Sequence, residues 1–212
     1  MLPTLLTDGG PVIWLILIAA AVAIVVFIER VLYCHRAQIN SAEFLSGVRN
    51  VLKRDNVVEA VSICDATPGP VARLVKTAIL NRDRGRERVR EAVEEAGLTE
   101  VALLEERLNL LATIAQLAPL LGLLGTVIGF IRMFIQLQAA GPYAHLSGDA
   151  HSLAAGIWQA LICAAAGIAV AIPVHAGYNY LVSRINKIVL DMERAAAEIV
   201  NIVTENGGAK SS

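Results

Sequence analysis

Charge is missing from three long stretches of this chain. Asp, Glu, Lys and Arg are all absent from Gly9 to Ile28, from Leu108 to Ile131 and from Ser152 to Ser183. A helix of roughly 20 apolar residues crosses a bilayer core, so each stretch is long enough to span one. Aromatic residues make up only 5% of the 212 positions, against 56% hydrophobic residues, and the mean hydropathy is +0.59. That composition suits a membrane protein, with its apolar surface against lipid, better than a soluble globule.

Other scarcities narrow the function. The three cysteines, Cys34, Cys64 and Cys163, have no metal-ligand spacing, which predicts reduced thiols and no disulfide framework. His35, His145, His151 and His175 are equally scattered, so no metal site is expected. Neither a Ser/His/Asp set, nor paired carboxylates, nor a phosphate-cradling loop is present in the polar segments, which argues against an enzyme and against a cofactor. The net charge of -1 gives no sign of nucleic acid.

Basic residues are distributed unevenly. None lies in residues 1–10 or 139–151, twelve lie in 34–107, and four lie from Arg184 onward. Loops rich in Lys and Arg stay on the cytoplasmic side of a membrane. The expected order is a short periplasmic tail (1–10), a first span (11–33), a cytoplasmic helical region (34–107), a second span (108–138), a periplasmic loop (139–152), a third span (153–183) and a cytoplasmic helix and tail (184–212). Ala19, Ala21 and Ala23 resemble a signal-peptide end, but a signal peptide needs positive charge before its apolar run. Here Arg30 and Arg36 follow it instead, as for a retained anchor.

The polar region reads as short amphipathic helices. Ser41 can cap one in which Phe44, Val48, Val51 and Leu52 form the apolar stripe. "VVEAVSICD" follows, "TPGP" at 67–70 breaks it, and Val71, Leu74, Val75 and Ala78 then share one side of the next. Five arginines between 82 and 90 alternate with Glu87, Glu91, Glu94 and Glu95 at helical spacing, which favours pairing on a solvated face over a nucleic-acid patch. Membrane lipid phosphate is the other candidate partner for them. With Gly97 tolerated, a helix is expected to run unbroken from about Glu87 into the second span. The third uncharged stretch, about 48 Å long as a helix, must outrun the bilayer. Ile185, Ile188, Val189, Met192, Ala196, Ile199 and Val203 prolong it with a packing stripe.

The two later spans are not plain anchors. Ala115, Ala118, Gly122, Gly125 and Gly129 recur at three and four residues in one; Gly156, Ala160, Ala164, Gly167 and Ala171 do so in the other. Stripes of small residues let helix backbones approach closely in lipid, where burying leucine gives no net drive. Packing accounts for the glycines but not for Thr126, nor for Pro119 and Pro173. Each proline deprives a carbonyl, of Ala115 or Ala169, of its helical donor. Gln159 stands near the outward end of the third span and Arg132 near that of the second, where snorkelling to headgroups is the plainer reading. Trp14 and Trp158 suit interface anchors.

"APLLGLLGTVIGFI" followed by "GIWQALICAAAGIAVAIPVHAGYN", with "GPVARLV" before and "DMERAAAEIV" after, resembles the MotA/TolQ/ExbB family of ion-channel subunits. The resemblance implies an all-α, three-span protein of the bacterial inner membrane, two of whose spans extend into the cytoplasm. It further implies a homo-oligomer, a pentamer in the family, whose second and third spans line a pore around a dimer of an ExbD- or TolR-like single-span partner. That partner carries a membrane Asp, and proton or sodium motive force drives work passed to a periplasmic or outer-membrane process, through a TonB- or TolA-like protein in some members. Carried onto this chain, the pathway residues would be Ala118, Gly122, Gly125, Thr126 and Gly129 in one span and Gln159, Ala160, Ala164 and Gly167 in the other, with Pro119 and Pro173 as helix kinks. Two positions depart from the family pattern. Gln159 stands where relatives commonly have Glu, and Ala164 where a threonine often follows, so the titrating group would come from the partner. A non-conducting scaffold that organises such a partner is the alternative. A secondary transporter would need an internal repeat that this chain lacks.

Overall fold

The computed structural model describes residues 10–38, 40–140 and 150–208. Seven α-helices occur among them: α1 (Gly10–Ala37), α2 (Ser41–Leu52), α3 (Val57–Ala66), α4 (Pro70–Leu80), α5 (Arg86–Glu105), α6 (Leu108–Ala140) and α7 (Ala150–Gly208), with a 3-10 turn at Arg82–Arg84. No strand is present among the described residues. Three helices are long and apolar enough to cross a membrane, as the charge-free stretches require. The loop expected to be periplasmic, 139–152, falls largely outside the described residues.

The chain divides into two compact units, Met1–Ile28 with Arg107–Tyr180, and Glu29–Glu106 with Leu181–Ser212. In the second, α4 packs against α3 and α5. Val71, Leu74, Val75 and Ala78 are buried together with Ile79 of the same helix, as their spacing predicts. Pro70 can open α4 because the first turn has no use for its missing N–H. Gly69 before it holds φ +124, where a Cβ would sit 3.0 Å from the Ala37 carbonyl oxygen. In α2 the inward stripe is Leu45, Val48 and Leu52, not the one built on Phe44 and Val51. Asn40, not Ser41, holds the N-cap position, without a side-chain capping bond, and the helix begins one residue earlier than a serine cap requires.

Charged groups in this unit are paired as the sequence spacing implies. Arg88 donates to Glu91 at 3.1 Å and Arg90 to Glu94 at 2.8 Å, both exposed; such pairs are worth about 0.3–0.5 kcal/mol each. Arg73 makes a two-pronged contact with the buried Glu100 at 2.5 Å, and this bond holds the Arg73 guanidinium more firmly protonated than usual. Burial, reinforced by the neighbouring Asp65 charge, raises the Cys64 thiol to about 11. Cys64 is therefore an inert, protonated core residue at neutral pH.

One break was not foreseen. Between α5 and α6, Glu106 is extended (ψ 136) and Arg107 adopts φ 64, so the helix expected to run through from Glu87 stops and restarts. The end of α5 is held by Arg30 of α1, which is only 4% exposed. Its Nη1 donates to the Leu103 carbonyl at 3.2 Å, its Nη2 lies 3.5 Å from Glu106, and its guanidinium sits 5.4 Å from the Tyr33 ring centre. Leu103 lies in the last turn, where a carbonyl has lost its helical donor. At α7 the sequence reading holds: a single helix of 59 residues passes through Pro173 without interruption, and Ile185, Ile188, Met192, Ile199 and Val203 are buried along it.

Candidate functional site in the membrane spans

The small residues of α6 and α7 meet each other. A Cβ built on Gly122 would lie 2.9 Å from the Cys163 carbonyl oxygen and 3.3 Å from the Gly167 Cα; one on Gly167 would lie 2.6 Å from the Ala118 carbonyl oxygen and 2.9 Å from the Gly122 Cα. At Gly125 it would meet the Cys163 side chain, and at Gly129 it would lie 3.1 Å from the Ala160 Cβ. The order of these pairs, 118 with 167 down to 133 with 156, is that of an antiparallel seam. Ala118, Ala160 and Cys163 are buried in it, at 0–2% exposure. The stripe offered by the sequence as a pore wall thus lies against the neighbouring span of the same chain, because only glycine and alanine permit backbones this close.

Helix geometry places the remaining residues to one or other side of the seam. On one side, α1 packs: Val12 Cγ1 would be 3.4 Å from a Cβ on Gly125, and Phe27 3.0 Å from one on Gly177. An apolar cavity of about 340 Å³, lined by Ala20, Phe27, Leu111, Pro173 and Gly177 among others, lies between these helices. Arg132 and Gln159 fall on this same side. The Arg132 Nη1 donates to the Gln159 Oε1 at a long 3.5 Å. Gln159 is thereby separated from Thr126, with which the sequence reading had grouped it.

Thr126 follows Gly125 and Ala164 follows Cys163, each one residue and about 100° further around its helix. Since the helices run antiparallel, both steps turn toward the same side, the one opposite α1. Thr126 and Ala164 are half-buried there, beside the exposed Leu123, Leu161 and Ile168. The Thr126 hydroxyl donates to the Leu123 carbonyl at 2.6 Å. Its proton is therefore committed within the helix, and its oxygen is presented as an acceptor, the form that suits a cation or a protonated acid. Pro119 lies on the same face and is exposed; His175, also exposed, has its ring 6.3 Å from that of Tyr178.

A model of the MotA/TolQ/ExbB proton channel family matches residues 66–194, more than half of the chain. The chain belongs to the MotA/TolQ/ExbB proton channel family. Among its relatives is the biopolymer transport protein ExbB-like 1 of Synechocystis sp., 35% identical over 176 residues, which are 82% of this chain and 68% of the relative. The ExbB homolog of Methanothermobacter thermautotrophicus is 28% identical over 180 residues, 84% of this chain and 62% of the relative. The Tol-Pal system protein TolQ of Haemophilus influenzae is 35% identical over 112 residues, 53% of this chain and 47% of TolQ. The chain thus spans from about half to two thirds of the length of these relatives. The family is one of channel proteins rather than enzymes, and its apolar helices make this member an inner-membrane protein.

Two contributors to the spans escaped the sequence reading. Gly10 takes φ +68, and a Cβ there would lie 2.6 Å from the Gln159 Nε2 and 3.2 Å from the Arg132 Nη1. Its position just before Pro11 at the head of a helix is the signal that could have exposed it. Cys163 was noted only as a thiol, whereas it fills the centre of the seam.

Proposed function

We propose that several copies of this chain, five by analogy with the family, assemble with their Thr126 and Ala164 faces toward a common axis. The axis holds a dimer of an ExbD- or TolR-like single-span partner whose membrane Asp carries the ion. Protons, or sodium ions, reach and leave that carboxylate down their gradient, and the resulting movement energises a periplasmic or outer-membrane process, through a TonB- or TolA-like protein. In this reading the amino terminus is periplasmic and the carboxyl terminus cytoplasmic, following the basic residues.

The observation that carries this reading is the asymmetry of the seam. One side is covered by α1; the other presents a hydroxyl acceptor among aliphatic residues and small side chains, left uncovered by the described residues of its own chain. A carboxylate in such a low-dielectric wall is costly when ionised, so its proton affinity depends on whether an acceptor such as Thr126 stands opposite it. The seam residues Ala118, Gly122, Gly125, Gly129, Ala160 and Gly167 serve by holding the two spans together at backbone distance, and Pro119 and Pro173 by loosening a carbonyl in each. Gln159 cannot titrate, which leaves the ionisable group to the partner.

The test is the intact mass of the complex purified with an ExbD- or TolR-like single-span protein. The expected result is several copies of this chain around fewer copies of the partner. A single copy, or an assembly that takes up the partner yet conducts no ions in any gradient, would favour the scaffold reading instead.

A further inference from the structure

The side of the seam away from Thr126 holds a second polar site. Arg132 is the one Lys or Arg between Arg107 and Arg184 in the sequence. It opens into a cavity of about 670 Å³ lined also by Gln136, Ala155, Gly156, Trp158 and Gln159. Among the described residues, the lining holds one cation, two side-chain amides and no carboxylate. On the far side of the Arg132–Gln159 contact stands the backbone of Gly10. A guanidinium has five donors, and the described contact of Arg132 is a single long bond to an uncharged amide. Trp158, 53% exposed, marks the level at which indole rings gather, beside lipid headgroups.

We propose that this cavity binds the phosphate of a membrane lipid headgroup, with Arg132 supplying the charge and Gln136 and Gln159 the flanking amide donors. Guanidinium and phosphate match as a planar donor fork and a multi-oxygen acceptor, and a positive pocket at the headgroup level concentrates anionic lipid. The side chain lies on the α1 side, so the site is separate from the proposed ion path and stands whether or not that reading holds.

Native mass spectrometry of the full chain in detergent, with added phosphatidylglycerol, tests it. The parent is expected to retain the lipid, and Arg132→Gln to retain about tenfold less, which is a loss of about 1.4 kcal/mol; Arg132→Lys falls between. Gln159→Leu, which keeps the charge, is expected to lose a smaller share. Equal retention by Arg132→Gln, with unchanged helical content, would overturn the proposal. So would equal retention of a phosphate-free galactosyl diacylglycerol. Displacement of the lipid by inorganic phosphate confirms phosphate recognition. Retention of inorganic phosphate by a parent chain that does not retain added phosphatidylglycerol would show a free-anion site and overturn the lipid assignment.

Discussion

Thr126→Val, in complexes that keep their partner, is expected to pass protons roughly tenfold more slowly than the parent, whereas Thr126→Ser stays within about twofold; a hydrogen bond to a charged or protonating group is worth about 1.5–3 kcal/mol, which is tenfold or more. Valine has the same shape but offers a methyl where the hydroxyl oxygen stood. Serine restores the oxygen and can make the same bond to the Leu123 carbonyl. Flux into liposomes carrying both proteins, driven by an imposed pH difference, is the readout, and Thr126→Ala should follow valine. Assembly should be unchanged in all three, since Thr126 is half-buried at the edge of the seam and not inside it. Normal flux through the valine variant would remove the hydroxyl from the mechanism.

The second large effect concerns the seam. Gly167→Ala places a carbon 2.6 Å from the Ala118 carbonyl oxygen and 2.9 Å from the Gly122 Cα. Both are backbone atoms that no rotamer change can move, so the helices must separate. Overpacking of this kind costs about 1–3 kcal/mol, and for a chain of this size each kcal/mol lowers the melting temperature by about 2–4 °C. A drop of roughly 2–12 °C in detergent is therefore expected. Gly167→Leu should fail to accumulate. Gly47→Ala is the control: nothing lies within 4 Å of its new carbon, and an alanine gains about 0.8–1 kcal/mol of helix propensity over glycine. Its melting temperature should hold or rise. A seam variant as stable as that control would mean the spans do not pack as described.

This result also changes what Gly125→Leu would do. As part of a pore wall it would obstruct an inner partner by bulk; against Cys163 it first pushes apart two helices of one chain. The sequence announced the stripe through its three- and four-residue spacing, because close backbones in lipid demand small residues. It could not announce what lies opposite, since a neighbouring span and a foreign helix both call for the same glycines. For Gln159 the ambiguity was sharper. Its span was legible, but its side of that span depends on the register with α6 and on where α1 lies, which are non-local. Charge-free length fixed the three spans and the overrun of α7 directly. The break at Glu106–Arg107 escaped because neither residue is a helix breaker. Left-handed φ at an arginine is a choice imposed by its surroundings, not by its own preference. The α2 stripe erred by one residue for a related reason: Phe44 and Leu45 are both apolar, and only packing decides which points inward.

The central claim is that the Thr126 side of the seam, and not the lipid-facing side of α1, meets the partner's span. Disulfide trapping tests it most directly. In a background with Cys34, Cys64 and Cys163 replaced, a cysteine is introduced at Thr126 or at the exposed Ile18 of α1, with a second beside the partner's membrane acid. The account expects the Thr126 position to trap the partner and the Ile18 position to leave it free. Trapping at Ile18 with none at Thr126 would contradict it.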